Sequence, residues 1–310
     1  MRILDLRTKK ATTVFDKTAV ALGFFDGVHI GHRSLLLTTA KESEKRNISS
    51  LVLTFSERGS ANMKQGARHL CTEEERLEHF ADLGMDYALL LDFESVKNMS
   101  PQEFVSEILI GVCHAELAVC GYNFRFGKGA SGDTDTLISL MDQNGEECIV
   151  CPPYTYGGEP VSSTRIRKCV SDGDMASAMR LLGRPFSISA PICHGKGLGH
   201  GIGIPTANQR ISDNTVDIRN GVYATRIFLD GKYYYSLTNV GVRPTVDTDG
   251  SKNCETHILN YNEDLYGKSV KVEFLSFIRD EMRFSSLEEL KNQIYKDIDE
   301  VKKWQKDGQS

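Results

Sequence analysis

No apolar run in the sequence approaches the roughly 18 residues that a helix needs to cross a bilayer, so a helical membrane protein is excluded. The amino terminus, MRILDLRTKKATTVF, has neither a continuous apolar stretch nor a small-residue cleavage site, and the expectation is a cytoplasmic chain without a secretory leader. Positive charge is not in excess. With 37 Lys and Arg against 42 Asp and Glu the net charge is -5, so no global field recruits nucleic acid or an anionic membrane, and any polyanion must be held by a local site. Cysteine is sparse: eight in 310 residues is too dilute for a disulfide scaffold, and buried thiols in a reducing compartment are expected. The one C-x-x-C, Cys148 and Cys151 in ECIVCPPY, has no second pair to complete a four-ligand zinc site and reads as a short apolar strand. Internal repeats and low-complexity linkers are also lacking.

What is present is length and alternation. At 310 residues, 40% hydrophobic and 25% charged, the chain has material for two globular units with cores of their own. From residue 18 to about 150, the apolar runs VALGFF (20–25), SLVLTF (50–55), YALLLD (87–92), ELAVC (116–120) and CIVC (148–151) alternate with helical patterns at 31–46, 73–83, 101–110 and 133–143. That rhythm predicts an α/β unit, a doubly wound parallel sheet whose ligands bind at the carboxyl ends of its strands. After Leu182-Gly183-Arg184-Pro185 the pattern changes. GVYATRIFL and KYYYSLTNVGV flank Asp230-Gly231, a strong hairpin signal, and further strands follow at 254–261 and 269–278. Leu287, Leu290, Ile294, Ile298 and Val301 recur at helical spacing behind a Ser285/Glu288 or Ser286/Glu289 capping box. The expectation is α/β plus β: residues 1–186 as the parallel-sheet unit and 187–310 as a β-barrel with a carboxy-terminal helix.

Strand VALGFF runs straight into Asp26-Gly27-Val28-His29-Ile30-Gly31-His32 and a helix start. Glycines let backbone approach a phosphate, free amides of the first turn donate to it, and imidazoles three apart can address one polyanion. The arrangement has no nucleophile of its own and suits stabilisation of charge during in-line displacement, so nucleotidyl transfer is the reaction class it fits. A bland alternative is a Gly-rich turn with two surface histidines. H-I-G-H resembles the motif of the nucleotidyltransferase superfamily, which includes the class I aminoacyl-tRNA synthetases; an acidic chain without an evident tRNA-binding appendage argues against that branch. Two further segments fall where such a site wants them. Asn123 and Gly127 lie in the glycine-rich loop after ELAVC, and Ser162-Ser163-Thr164-Arg165-Ile166-Arg167 opens a helix whose hydroxyls, amides and guanidinium groups can hold pyrophosphate. Alone, these are an ordinary loop and a capped basic helix.

In the second unit, His194-Gly195-Lys196-Gly197-Leu198-Gly199-His200 leads into Gly203-Ile204-Pro205-Thr206-Ala207-Asn208. Thr206 and Asn208, two apart on an extended segment, face one side with hard oxygen donors suited to magnesium. Glu255 and His257 share a strand face, and a carboxylate beside a magnesium-nucleotide can accept a proton from an attacking alcohol. A solvated strand carboxylate is the bland reading.

Together, FFDGVHIGH, GYNFRFGKGASGD, VSSTRIR with LLGRPF, GIPTAN, NGVYA, NVGVRPTV, ETHIL and FIRDEMRFSSLEELKNQI resemble one family over residues 15–305, the bacterial bifunctional riboflavin kinase/FAD synthetase. The resemblance implies a nucleotidyltransferase-like first unit that adenylylates FMN to FAD, releasing pyrophosphate, and a riboflavin kinase β-barrel that phosphorylates riboflavin. It implies ATP as co-substrate, Mg2+ as cofactor, no nucleic-acid or membrane partner, and a monomer or weak homo-oligomer. By position, His29, His32, Asn123, Gly127, Ser163, Thr164, Arg165 and Arg167 would contact ATP in the first unit, and Gly195, Lys196 and Gly199 in the second. Thr206 and Asn208 would hold magnesium, Glu255 would be the general base, and Arg279 and Glu281 would lie beside the flavin. The pattern departs in two places. Ser56-Glu57-Arg58-Gly59 replaces an Asp-Pro-x-Pro-like segment, and His200 stands where arginine is common. The first departure keeps open a riboflavin kinase impaired in FMN adenylylation, and a flavin- or nucleotide-sensing protein without turnover is a separate rival expectation.

Overall fold

The structure, a computed structural model, describes residues 1–5, 16–56, 68–193, 203–242 and 252–307. The chain forms two compact units, Met1–Ala67 with Thr72–Ser163, and Arg68–Cys71 with Thr164–Ser310.

The first unit is built on a six-stranded sheet in the order β1-β4-β3-β2-β5-β6, every pair parallel. Its strands are β1 (Arg2–Asp5), β2 (Thr18–Leu22), β3 (Ser49–Phe55), β4 (Tyr87–Leu91), β5 (Ala115–Gly121) and β6 (Glu147–Cys151). Helices α1 (Ile30–Arg46), α2 (Glu73–Asp82) and α3 (Thr134–Gln143) connect them, along with a segment that opens at Pro101–Glu103 and runs on as π-helix over Phe104–Val112. The strands read as continuous apolar runs because both faces are covered. Val20, Leu51, Leu53 and Leu89 pack with the Phe104–Val112 helix and Leu137 of α3 on one face. Ala19, Ala21, Val52 and Leu90 pack with Leu36 of α1 and Phe80 of α2 on the other. Chain order reverses between β2 and β5, and in an open α/β sheet that switch point is where a crevice opens at the carboxyl ends of the strands. The strand β1 has no counterpart in the sequence expectation, nor has the short hairpin of β7 (Thr155–Tyr156) with β8 (Glu159–Pro160).

Cys148 packs on the first of these faces and Cys151 on the second. Three residues apart on β6, they point to opposite sides of the sheet, as the period of two dictates. The expectation of a plain strand holds here, and none of the eight cysteines is in a disulfide.

In the second unit, α4 (Ser163–Asp172, assigned from Thr164 onward) and α5 (Met175–Leu182) precede a closed barrel. Its order is β10-β13-β12-β11-β14-β9, with β9 (Phe186–Cys193), β10 (Ala207–Arg210), β11 (Gly221–Leu229), β12 (Lys232–Val242), β13 (Lys252–Ile258) and β14 (Ser269–Arg279) all antiparallel to their neighbours. Asp230 and Gly231 at φ 51° and 81° make the tight hairpin between β11 and β12. Tyr223, Phe186 and Phe274 are fully buried. So are four hydroxyls: Thr225 Oγ1 lies 2.7 Å from both Ser236 Oγ and Thr238 Oγ1, which is 2.9 Å from Thr256 Oγ1. Helix α6 (Leu287–Asp307) is capped by Ser286, whose hydroxyl accepts from Glu289 N–H. Ile298 and Val301 of its apolar stripe pack on Val222, Ala224 and Leu237, while Leu287 is 69% exposed.

Candidate active sites

In the first unit the site grows from the end of β2. The strand stops at Leu22, short of the expected 25, because the backbone turns left-handed at Phe25 (φ 58°), Gly27 (φ 75°) and Val28 (φ 38°). His29 then takes the position that Ser, Thr, Asp or Asn usually fills before a helix, its Nδ1 accepting from the His32 N–H at 3.2 Å. In the tautomer that leaves Nδ1 free to accept, the ring proton sits on Nε2. The His29 and His32 rings stack, centroids 3.5 Å apart and planes 18° from parallel. Loss of hydration first, and the His29 charge second, hold His32 well below its ordinary pKa of 6.5. At neutral pH His32 therefore offers a hydrogen bond to a phosphate rather than a positive charge. Gly31 packs closely: a Cβ there would sit 3.2 Å from His29 Cε1 and 3.4 Å from Tyr154 Cβ, so an added methyl group would press on the ring.

Across the switch point, Asn123 is exposed in the turn after β5, where Phe124 N–H donates to Gly121 O at 3.0 Å. Gly127 (φ 72°) lies against Pro101, whose ring atoms would be 3.0 Å from an added Cβ, so its place is fixed by loop packing as well as by conformation. Ser163 Oγ, still within the first unit, donates to Asp26 O at 3.0 Å and so braces the turn before the histidines. Ser56 follows β3, buried, its N–H on Leu91 O at 3.0 Å; residues 57–59 of the departing segment lie outside the described residues.

Thr164, exposed, and Arg165 and Arg167, half-buried, continue on α4 in the second unit, where Arg167 Nε donates to Arg68 O at 2.7 Å. The barrel carries a polar row on its outer face. Asn208 of β10 and Asn239 of β12 are both register partners of Glu255 on β13, and directly opposed residues share a face. Asn208 Nδ2 donates to Thr206 O at 3.3 Å, and His257, beside Thr206 on that face, donates from Nδ1 to Pro205 O at 2.8 Å. Thr206, Thr256, Ile192, Ile258, Leu265 and Tyr266 line a cavity of about 410 Å³, within the usual small-molecule range. The hydroxyl, amide and carboxylate oxygens of this face form a donor set of the kind magnesium takes. Gly195, Lys196, Gly199 and His200 lie outside the described residues.

The two expected flavin residues separate in role. Arg279 binds Asp297 of α6 from Nε and Nη2, down to 2.7 Å, and its Nη1 donates to Asp280 O at 3.0 Å. Glu281 Oε1 instead accepts from Asn239 Nδ2 at 3.3 Å, in space left by the missing Cβ of Gly241, at the end of the polar row. Sequence reasoning missed Arg76, which donates to the carbonyls of Phe24 and Phe55, as well as Tyr154, Asn239 and Asp297. None has a spacing signal, since each acts through partners far along the chain.

The helix-start donors of the first unit and the oxygen-rich face of the second are the chemistry of a nucleotide-dependent transferase. A family model described as FAD synthetase matches residues 11–165, and one described as riboflavin kinase matches 182–305. Proteins named bifunctional riboflavin kinase/FMN adenylyltransferase are 36% identical in Escherichia coli K12, over 90% of this chain and 90% of the relative, and 31% identical in Listeria monocytogenes, over 90% and 89%. A crystal structure described as a macrolide-efflux protein from Streptococcus pneumoniae has a TM-score of 0.87 at 29% identity, covering 98% of this chain and 100% of that one. No helix among the described residues is long and apolar enough to cross a membrane. The chain belongs to the bifunctional riboflavin kinase/FMN adenylyltransferase family.

Proposed function

We propose that the chain makes FMN and then FAD, with the two activities divided near residue 186: riboflavin kinase in 187–310 and FMN adenylyltransferase in 1–186. The placement of Glu255 directly opposite Asn208, with Thr206 two residues along, carries the kinase assignment. Riboflavin's terminal hydroxyl must lose its proton as it attacks the γ-phosphorus of ATP. The Glu255 carboxylate accepts that proton, the bond from the γ-phosphorus to the bridging oxygen breaks, and ADP leaves. Thr206 and Asn208 would hold magnesium, which when bound neutralises phosphate charge. The apolar wall of the adjoining cavity fits a nucleotide base, Glu281 lies toward the flavin, and Arg279 positions it through the chain.

The first unit needs no base. An FMN phosphate oxygen is already anionic; it attacks the α-phosphorus of ATP, a P–O–P anhydride bond forms, the bond from the α-phosphorus to the bridging oxygen breaks, and pyrophosphate departs with its electron pair. His29 and His32 donate to the phosphates, with the free amides at the start of α1, and Asn123 adds a further nucleotide contact from the same unit. We read the chain as cytoplasmic, a reading that the free thiols support.

Chromatography of products from riboflavin plus ATP, and separately from FMN plus ATP, tests both halves. Glu255→Gln should abolish riboflavin phosphorylation while leaving FAD formation from supplied FMN intact. An unchanged kinase rate in that variant removes the assigned base. Absence of FAD and pyrophosphate from the wild type with FMN would favour a kinase-only chain, as the replaced 56–59 segment would then explain.

A further inference from the structure

The turn that presents His29 is strained. Phe25 and Val28 both adopt left-handed backbone, which side chains rarely accept and a β-branched residue least of all. Such conformations persist only where the surroundings over-determine them. Here three side chains do so, all acting on backbone carbonyls. Phe24 O accepts from Thr54 Oγ1 at 3.1 Å and from Arg76 Nη1 at 3.0 Å, and Asp26 O accepts from Ser163 Oγ at 3.0 Å. The same Arg76 donates from Nη2 to Phe55 O at 2.7 Å and lies 4.3 Å over the Phe24 ring. Phe25, edge-on to His32 at 5.3 Å, carries the turn's geometry into the stacked pair.

Arg76 is 2% exposed and Thr54 1%. A guanidinium at a nucleotide site ordinarily meets phosphate, but this one is committed to the carboxyl ends of two adjacent strands. We propose that Arg76, assisted by Thr54 and Ser163, is a positioning residue for adenylyl transfer, clamping the left-handed Phe25–Val28 turn so that His29 and His32 are held as one preformed donor pair. This rests on the adenylyltransferase reading of the first unit. Preorganised donors act on charge that develops in the transition state, so loosening them lowers kcat more than it raises KM.

The test uses the full chain with Arg76→Lys and Thr54→Val. Lysine offers one point charge in place of a fork, and valine removes only the hydroxyl at equal size. FAD formation from FMN and ATP should lose at least about tenfold in kcat in Arg76→Lys, with KM for ATP within about twofold. Riboflavin phosphorylation by the same molecules should be unchanged. In NMR spectra the ring protons of His29 and His32, shifted by stacking, should move toward ordinary imidazole positions in both variants. Histidine signals that stay put in both variants overturn the proposal, whatever the rate, and so does a parallel fall in kinase activity. If Arg76→Lys does not fold, Thr54→Val decides by the same readouts. A wild-type chain that makes no FAD refutes the adenylyltransferase reading alone, since the histidine signals still report whether the clamp exists.

Discussion

Removing the carboxylate of Asp297 gives the sharpest test of how the carboxy-terminal helix is held to the barrel. Asp297 is 2% exposed and accepts from Arg279 Nε at 3.0 Å, from Arg279 Nη2 at 2.7 Å and from Gln293 Nε2 at 2.9 Å. Arg279 is itself only 18% exposed. Asp297→Ala leaves that guanidinium largely buried with no counter-charge, a change that costs about 3–5 kcal/mol. For a unit of 150 to 250 residues each kcal/mol moves Tm by about 2–4 °C, so the second unit's transition should fall by roughly 6–20 °C. Scanning calorimetry of the full chain measures this. Arg279→Met with Asp297→Ala should cost less than the two single changes summed, because no unpaired charge remains. A shift below about 3 °C, or strictly additive costs, would refute the claim that the pair is desolvated and mutually dependent.

Other outcomes follow from single contacts. Gly31→Ala puts a methyl group 3.2 Å from His29 Cε1 and should lower FAD formation about tenfold while sparing riboflavin kinase; equal rates of FAD formation would mean the ring has room to move. Because the folded pKa of His32 is depressed, its contribution to stability is present above pH 6.5 and is lost as pH falls from there toward the folded value, by up to about 1.4 kcal/mol per pH unit. His32→Gln should flatten that part of the first unit's stability profile between pH 6.5 and 5, and identical slopes in denaturant titrations would count against a neutral His32. Gly231→Ala meets no atom within 4 Å, so its cost should be the left-handed backbone alone, about 1 kcal/mol by urea titration, and a cost several times larger would show contacts the hairpin lacks.

The sheet strands were legible because a strand covered on both faces is apolar throughout, and the β11–β12 hairpin because Asp-Gly accepts positive φ. The H-x-G-H helix start and the Thr206, Asn208 and Glu255 face were likewise readable, since spacing of two along a strand sets a common side. The turn at Phe25 and Val28 was not. The expected strand runs through Phe25, and the override comes from Thr54 and Arg76, 30 and 52 residues away from the carbonyl they hold. Arg279 was obscured for a similar reason: the α6 pattern displays its apolar stripe but gives no sign that Asp297, between the stripe positions, would be the buried one. The stretch at 101–110 read as an ordinary helix, yet from Phe104 its hydrogen bonds reach one residue further, a difference that composition does not encode.

The buried hydroxyls of the barrel bear on alignment as much as on stability. A core of methyl groups tolerates sliding, since one methyl substitutes for another. If β12 slipped by one residue against β11, Ser236 and Thr238 would swing to the outside, Leu237 would turn in, and the Thr225 hydroxyl would be stranded in a dry interior. The interior thus rejects mispaired strands, and in doing so keeps the outer face in the one alignment that sets a carboxylate across from an amide.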